Sequence, residues 1–323
     1  MGEVVCVTGA SGFIGSWVVR LLLERGYSVH ATIQDLGNWK ETKHLEAMEG
    51  AKERLKLFKM DLMDYQSIQD AIDGCSGVFH LAMPNTIDAV EDPQKQLLDP
   101  GIKGTINVLE AAHKAKVKRV VLTSSVSAII PNPKWPAGKP LDENCWTDLD
   151  YCRENGIWYT VAKTLAEKAA WDFSKEKGLN VVAINPGTAL GPILPPDMNA
   201  SLAMIVKLLQ GNKEEYRNFF MGCAHVKDIA KAQILLYETP SASGRHLCVE
   251  SIAHWSDFAE LTAKLYPEYN VHKFTGVTQP GLVRVKNASK KLIDLGLQFT
   301  SMEEIIKDCV STLREKGFLD SSP

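Results

Sequence analysis

Two side chains that stand four residues apart, Tyr159 and Lys163, have the types that together perform acid–base chemistry. In a helix this spacing places both side chains on one face. A phenol with an ordinary pKa of ~10 is a poor acid–base group at neutral pH, and a neighbouring ammonium lowers that pKa. The same lysine is able to hold cofactor hydroxyls. The pair therefore predicts proton transfer to or from a substrate oxygen.

A hydroxyl suited to the same reaction comes at the end of a β-branched run, where Ser124 and Ser125 follow residues 119–123. A hydroxyl there can donate to a substrate oxygen as negative charge develops on it. A tyrosine followed four residues later by a lysine is not a specific signal, because Tyr269 and Lys273 have the same spacing in a loop-like segment. Only the first pair also has a strand-end serine and an upstream glycine turn. These features together predict the catalytic residues Ser125, Tyr159 and Lys163.

The glycine turn follows the first predicted strand, residues 4–8, and opens a predicted helix over residues 13–25. Glycines there permit a tight turn and a close approach of the backbone to a pyrophosphate, which the helix N-terminus then faces. Its spacing, G-x-x-G-x-x-G, is weak by itself, but the strand before it and the helix after it favour dinucleotide binding over an unoccupied turn. The predicted contacts from the turn are Gly9, Ser11, Gly12, Phe13, Ile14 and Gly15.

The end of the second predicted strand leaves the choice between NAD and NADP open. Asp35 favours NAD, since an acid there bonds the ribose 2′-hydroxyl, whereas Lys40 and Lys43 favour NADP or are solvated helix charges. Asp61 and Leu62 close the third strand. They are either contacts to the adenine ring or residues of an ordinary turn. Further predicted cofactor contacts are Gln34, Leu81, Ala82, Thr123, Ser124, Pro186, Gly187 and Thr188.

The elements that must position these residues alternate as β and α over the first half of the chain. Such alternation predicts an α/β fold, with a doubly wound parallel Rossmann sheet and a smaller, mostly helical C-terminal substrate lobe. We place the dinucleotide-binding domain at residues 1–188, rejoined by a segment near 223–250, and the mainly substrate-binding lobe at 189–323. The predicted strands cover residues 4–8, 28–33, 55–60, 77–81, 119–123, 180–185 and 245–249.

Three polar residues outside these motifs have more than one interpretation each. Asn107 either bonds backbone near the site or relays protons through water, or it has a packing role, and the packing role is favoured. His225 and Asp228 either border the substrate or cap and orient the next helix, and capping is favoured. A proline-rich loop over residues 131–140 follows the fifth strand and is either a lid or a passive connector.

Composition limits the function classes. The chain has 323 residues, of which 45% are apolar and 23% charged, with a net charge of −3, so it carries no basic footprint for nucleic acid or an acidic membrane. No apolar run approaches the ~18 residues of a membrane span. Because a strand begins almost at the first residue, we expect no targeting peptide and a cytoplasmic protein. We expect seven reduced cysteines, no metal, and a monomer or weak homodimer.

With these residues in hand, the chain resembles the extended short-chain dehydrogenases/reductases that include dihydroflavonol reductases and cinnamoyl-CoA reductases. The resemblance spans residues 4–319. It is carried by five segments, VCVTGASGFIGSW near the start, GVFHLA at 77–82, VLTSSVSA at 121–128, WYTVAKTLAEKAAW at 158–171 and GRHLC at 244–248. It implies NADPH as cofactor, Ser125, Tyr159 and Lys163 as the triad, and reduction of a phenylpropanoid-type carbonyl, either an acyl-CoA thioester or an aldehyde or ketone. The alternatives are a non-catalytic dinucleotide sensor or scaffold and a sugar-nucleotide epimerase or dehydratase.

The chain departs from the family pattern at several places. Gln34 stands where the family has Arg, although Lys40 matches a family lysine. The His-Lys-Arg set associated with the CoA thioester corresponds to Met204, Lys207 and Arg245, so its histidine is lost. Ile130 replaces a polar residue of dihydroflavonol reductases. The expected substrate contacts are Met83, Ile130, Met204, Lys207 and Arg245.

One cysteine pair of the family is retained in this chain. Cys145 and Cys152 match a pair that can form a disulfide in some cinnamoyl-CoA reductases. The resemblance therefore raises a redox switch as a hypothesis.

Overall fold

Short β-branched runs form the central sheet of the protein, for which a computed structural model describes residues 2–84, 90–211, 219–271 and 283–320. Seven parallel strands pair in the order β3-β2-β1-β4-β5-β6-β9. Their bounds are β1 Val4–Thr8, β2 Ser28–Ile33, β3 Leu55–Lys59, β4 Gly77–His80, β5 Arg119–Thr123, β6 Val181–Pro186 and β9 Gly244–Cys248. The predicted doubly wound parallel sheet is confirmed.

Helices cover both faces of this sheet. One face is covered by two helices that pack together, α1 Phe13–Glu24 and α9 Val226–Glu238. The other face is covered by three helices, α4 Tyr65–Ile72, α5 Asp99–Lys114 and α7 Trp158–Lys177. Their apolar stripes meet the sheet in two separate cores, as a sheet buried on both faces requires. Shorter helices in this part are α2 Trp39–Glu46, α3 Ala51–Arg54 and α6 Leu149–Glu154, with a π-helical turn Gln94–Leu98 and a 3-10 turn Val126–Ala128.

The strand order creates a crevice at the carboxyl ends of β1 and β4. From β1 the chain winds outward through β2 and β3 and then crosses back to β4, so the loops after β1 and β4 diverge there. Gly9 and Ala82 meet at this point, since a Cβ built on Gly9 would lie 3.0 Å from the Ala82 Cα atom. In such folds a ligand binds between these diverging loops.

A second sheet joins the helices of the smaller lobe, and sequence patterns did not predict it. Its strands are β7 Thr188–Leu190, β8 Phe220–His225, β10 Ser251–His254 and β11 Val285–Lys286, in the order β11-β10-β8-β7. Two of them have three residues or fewer, which is too short to establish an alternating pattern. The helices of this lobe are α8 Ala200–Leu209, α10 Trp255–Leu265, α11 Lys290–Asp294 and α12 Met302–Glu315.

The chain crosses between the two sheets more than once. β9 pairs with β6 at the edge of the large sheet, and α9 packs on α1 beneath that sheet. The division at residue 188, with a segment near 223–250 rejoining the first domain, stays a prediction. Within the described parts of the chain, no helix combines the length and apolarity needed to cross a bilayer.

Arg119, at the start of β5, ties the sheet to the end of α9. It is 3% exposed, and its guanidinium donates to the carbonyl oxygens of Leu236, Thr239, Pro240 and Ala242. These oxygens belong to or follow the last turn of α9, where carbonyls lack partners within the helix. Arg119 therefore anchors the strand whose far end leads into Ser124 and Ser125.

Replacing Arg119 by methionine tests this anchor. We expect Arg119→Met to lower the free energy of unfolding by about 3 kcal/mol, because buried carbonyls lose their donor. Arg153→Met is the matched control, since Arg153 makes an exposed ion pair with Asp150 and such pairs contribute little. Urea unfolding of both variants measures the effect, and equal stabilities would contradict it.

Candidate active site

The turn after β1 fits a diphosphate. Gly9 has φ +65°, and a Cβ on Gly15 would lie 2.2 Å from the Gly9 carbonyl oxygen, so the turn needs glycine at both positions. Gly12 caps α1 without a side-chain hydrogen bond, and the first turn of α1 has no acidic residue. The first N–H groups of α1, from Phe13 and Ile14, therefore point outward without a helical acceptor or a competing carboxylate.

At the end of β2, a carboxylate that the sequence analysis missed joins the strand end to the glycine turn. Glu41 accepts hydrogen bonds from the Gln34 backbone N–H at 2.8 Å and from the Ser11 hydroxyl at 3.4 Å. Lys40 points elsewhere, to an exposed ion pair with Asp197 at 3.0 Å. The signal for Glu41 was available as N-x-x-E over residues 38–41, a helix-capping pattern in which the Asn38 amide donates to Glu41.

The turn after β3 is built by short-range hydrogen bonds. The Asp61 carboxylate accepts from the Met63 N–H at 2.8 Å, so Asp61 shapes the turn. The Asn107 amide on α5 donates to the Leu62 carbonyl at 2.9 Å. Asn107 thus bonds backbone near the site, which is the less favoured of its interpretations, and holds the turn that carries Leu62.

A buried histidine fixes the loop after β4. The Thr8 hydroxyl accepts from the N–H groups of Leu81 and Ala82 and bonds His80 Nδ1 at 2.8 Å, while His80 Nε2 bonds Thr105. Since the Thr105 hydroxyl itself donates to a carbonyl of α5, it accepts from Nε2–H. Nδ1 accepts the hydroxyl hydrogen of Thr8, so the imidazole is neutral. Burial, with the Lys163 ammonium nearby, lowers the His80 pKa to about 3.

Lys163 lies in a small recess at the carboxyl ends of β4 and β5. The recess brings together five predicted site residues and is lined among others by Ala82, Met83, Thr123, Ser124 and Lys163. Lys163 is 7% exposed and donates to the Thr123 carbonyl at 3.1 Å. Burial lowers the Lys163 pKa to about 8, and the carboxylate of Glu167 opposes that shift. The ammonium therefore persists at neutral pH.

Tyr159 precedes Lys163 by one turn of α7, as predicted, but its acidity differs from the expectation. Burial raises the pKa of Tyr159 to about 12. The expected lowering by Lys163 is wrong for this structure, because Lys163 donates to Thr123 and the phenol is desolvated. Across the described residues, the Tyr159 hydroxyl has no hydrogen-bond partner. The phenol thus keeps its proton at neutral pH.

The two neighbouring serines have different surroundings. Ser124 is buried, and its hydroxyl donates to Glu167 at 2.5 Å. Ser125 is partly exposed, and its hydroxyl oxygen accepts from the Ser127 N–H, which leaves the hydroxyl hydrogen available for another partner. The Asn185 amide holds the Ser125 carbonyl at 3.1 Å. Of the two hydroxyls, that of Ser125 is the one that a substrate can reach.

An apolar cavity of about 510 Å³ begins one residue beyond Ser125. Val126, Ile129 and Ile130 line one wall, and the proline-rich loop contributes Trp135. The opposite wall comes from the ends of β8, β9 and β10 and includes Phe219, Phe220, Gly222, Leu247 and Ile252. Ligand pockets in proteins typically have such volumes and apolar linings.

Other expected substrate contacts lie away from this cavity. Met204 packs against the core of the smaller lobe, and Lys207 is exposed on α8. Arg245 is 7% exposed and forms an ion pair with Glu167 at 2.6 Å, with its remaining donors on three backbone carbonyls. Arg245 is therefore corrected to a buried structural contact, because its guanidinium has no donor left for a substrate.

The remaining predicted residues have defined places. Pro186 ends β6, the Gly187 N–H donates to Cys248, and Thr188 begins β7. His225 caps α9 by accepting from the Lys227 N–H, and buried Asp228 accepts from the Thr300 N–H. Both thus have the favoured capping and orienting roles.

The cysteine pair and the second tyrosine–lysine pair can also be placed. Cys145 and Cys152 are buried free thiols. Tyr269 accepts a hydrogen bond from Arg314 outside the crevice, whereas Lys273 lies outside the described residues.

Comparison with known proteins identifies the family. Residues 5–249 match the NAD dependent epimerase/dehydratase family. The chain is 47% identical to cinnamoyl-CoA reductase 1 of Petunia hybrida, over 98% of this chain and 94% of that one.

Two solved reductase structures have the same fold over nearly the whole chain. Vestitone reductase from alfalfa superposes with a TM-score of 0.85 at 34% identity, over 98% of this chain and 99% of that one. Yeast methylglyoxal/isovaleraldehyde reductase complexed with NADPH superposes with a TM-score of 0.83 at 25% identity, over 98% and 100%. The chain belongs to the extended short-chain reductases of the NAD dependent epimerase/dehydratase family and is an oxidoreductase related to the cinnamoyl-CoA reductases.

Proposed function

We propose that this protein uses NADPH to reduce the carbonyl group of an aromatic, phenylpropanoid-type substrate. The observation that carries the proposal is the apolar cavity of about 510 Å³, whose lining includes Val126, the residue that follows Ser125 in the chain. Trp135, Phe219 and Phe220 give this cavity the aromatic surfaces against which a planar ring packs.

The crevice at the carboxyl ends of β1 and β4 supports NADPH as cofactor. The glycine turn offers N–H donors to a diphosphate, and the yeast relative holds NADPH on the same fold. Lys40 is available to a 2′-phosphate, because its present ion pair with Asp197 is exposed and therefore weak. A 2′-phosphate site made only of cations would not contain Gln34, which is uncharged, or Glu41, which is an acid.

NADPH, when bound, supplies the hydride that the carbonyl carbon receives. Ser125 donates its free hydroxyl hydrogen to the carbonyl oxygen as charge develops there. Tyr159 transfers its proton to that oxygen, which its raised pKa of about 12 permits because the phenol is protonated at neutral pH. Lys163, charged and buried one turn away, would hold hydroxyls of the cofactor.

The surroundings of Arg245 favour an aldehyde or ketone over a CoA thioester. A thioester brings an anionic CoA group that needs cations, yet Met204 is apolar and Arg245 is engaged with Glu167. An NADPH-oxidation assay on hydroxycinnamaldehydes and the matching hydroxycinnamoyl-CoA esters, in parallel, decides between them. Faster turnover of the esters would reverse this preference, and equal inertness of both would point to a non-catalytic NADPH sensor.

The role of Tyr159 is tested by removing its hydroxyl. We expect Tyr159→Phe to lower kcat by at least about 100-fold, because the proton donor is lost, while NADPH still binds. Tyr269→Phe, in the second copy of the same spacing, is the matched control and should keep wild-type kcat. Turnover by NADPH absorbance, with NADPH binding by fluorescence, gives the result, and a Tyr159→Phe variant with full kcat would exclude this mechanism.

If the cavity holds the substrate ring, the effect of Trp135→Ala on KM should depend on the size of the substrate. Removing this ring should raise KM for a hydroxycinnamaldehyde roughly tenfold, since apolar contact is lost, and should leave KM for a small aliphatic aldehyde nearly unchanged. The ratio of the two KM values is the measurement. A parallel rise for both aldehydes would show that the cavity does not hold the ring.

The carboxylate of Glu41 predicts a change in cofactor preference. Glu41→Gln keeps an oxygen acceptor for the Gln34 N–H but removes a negative charge beside the place of the 2′-phosphate. We expect NADPH to bind about two- to fivefold more tightly and NADH to bind unchanged. Dissociation constants from calorimetry for both cofactors, with exposed Glu46→Gln as control, check this. Equal tightening of both cofactors would contradict it.

A further inference from the structure

We propose that Glu167 is the positioning residue of this active site, a buried carboxylate that fixes the backbone at Ser125 and keeps Lys163 charged across the recess that both line. The inference rests on the proposed roles of Ser125, Tyr159 and Lys163. Glu167 is 1% exposed and lies on α7 at the fourth residue after Lys163, on the same helix face as Tyr159 and Lys163.

The contacts of Glu167 reach both serines of the site. One carboxylate oxygen, Oε2, accepts from the Ser124 hydroxyl at 2.5 Å and from the Asn185 amide at 2.9 Å. The same Asn185 amide donates to the Ser125 carbonyl at 3.1 Å. The carboxylate therefore fixes the backbone of Ser125 from two directions, through Ser124 on one side and Asn185 on the other.

The second set of contacts joins Glu167 to the wall of the apolar cavity. Arg245 pairs with Glu167 through Nε at 2.6 Å and donates to the carbonyls of Glu143, Cys145 and Ala128. Its guanidinium also stacks on Trp146 at 3.7 Å from the ring centroid. The segments that contain Ala128 and Cys145 pack beside the cavity, so one ion pair connects the catalytic helix with the substrate wall.

The burial of the Glu167 carboxylate is not explained by packing alone. Taking two charges out of water is costly, and well-packed apolar residues often serve stability equally well. A charge retained at this position is therefore expected to serve something other than stability. In this structure two cations are stabilised by that charge, Arg245 by direct contact and Lys163 across the recess that both Lys163 and Glu167 line.

The charged and titratable groups around Lys163 come from three elements. Tyr159 and Glu167 share its helix, and His80 faces it from β4 as a neutral imidazole. The atom of β5 that faces it is an uncharged carbonyl, that of Thr123. Glu167 is the negative group among these neighbours in the described part of the chain. Its removal should therefore lower the Lys163 pKa below its present value of about 8.

The test substitutes Glu167→Gln, which keeps the shape of the side chain and removes its charge. In a profile of activity against pH at saturating NADPH, the decline at high pH should begin about one pH unit or more below that of the wild type. The reason is that Lys163 loses its proton at a lower pH in the variant. At pH 8 we expect kcat to fall on the order of 10- to 100-fold, with a much smaller change in KM, since the reacting groups are displaced. At pH 6 the loss should be smaller, because Lys163 is then charged in both proteins.

A readout without cofactor keeps the inference separate from the proposed function. In the protein labelled with ¹³C at lysine ε-carbons, the Lys163 resonance, assigned by its loss in Lys163→Arg, should titrate at lower pH in Glu167→Gln. Tyr159→Phe that retains turnover would remove the proposed function and leave this titration result intact. A lost turnover in Tyr159→Phe together with an unchanged Lys163 titration would overturn the role of Glu167 alone.

Two further variants separate positioning from stability. Glu167→Gln leaves the Arg245 charge unpaired, so the double variant Glu167→Gln/Arg245→Met removes both charges and preserves folding if the single variant fails to fold. It should show the same early decline at high pH. Arg119→Met, which destabilises the sheet far from the site, should lower Tm and keep the wild-type pH profile. A Glu167→Gln variant that behaves like Arg119→Met would show a structural role only.

Discussion

A buried ammonium imposes the main constraint on this active site. Lys163 is almost fully enclosed, and burial favours its neutral form by lowering its pKa to about 8. A protonated lysine survives there only if oxygen atoms compensate for the lost water, and the Thr123 carbonyl and the Glu167 carboxylate do so. The carboxylate in turn requires its own donors, which are Ser124, Asn185, Arg245 and the Trp171 indole N–H. The packing of strand ends around α7 follows from this chain of requirements.

The same low-polarity surroundings determine which neighbouring groups carry protons. His80 is neutral because burial and the adjacent ammonium oppose a second positive charge. Tyr159 retains its proton because a buried phenolate would be costly. The arrangement around α7 thus places a charged lysine one helical turn from a protonated phenol.

Local sequence patterns predicted the parts of the fold that repeat and the parts that demand a special backbone. Strands of five or six mostly buried residues, such as β1, β2 and β5, match their predicted bounds, because two-sided burial selects β-branched runs. The glycine turn was readable because only glycine tolerates φ +65° and the close approach at Gly15. The second sheet was missed, because strands as short as two residues have no period to detect.

Residues whose role depends on distant partners could not be predicted in the same way. Arg245 looked like a substrate cation because its partner Glu167 lies 78 residues away, and only the pairing of β6 with β9 brings them together. Glu167 itself falls at helical spacing after Lys163, a signal that the sequence contained but that no motif marked. The apolar cavity likewise joins a proline-rich loop to strands from the second sheet. In this fold, local motifs at the strand ends therefore predict the candidate catalytic and cofactor-binding residues. The surfaces that select a substrate arise from tertiary contacts, which local sequence patterns do not predict.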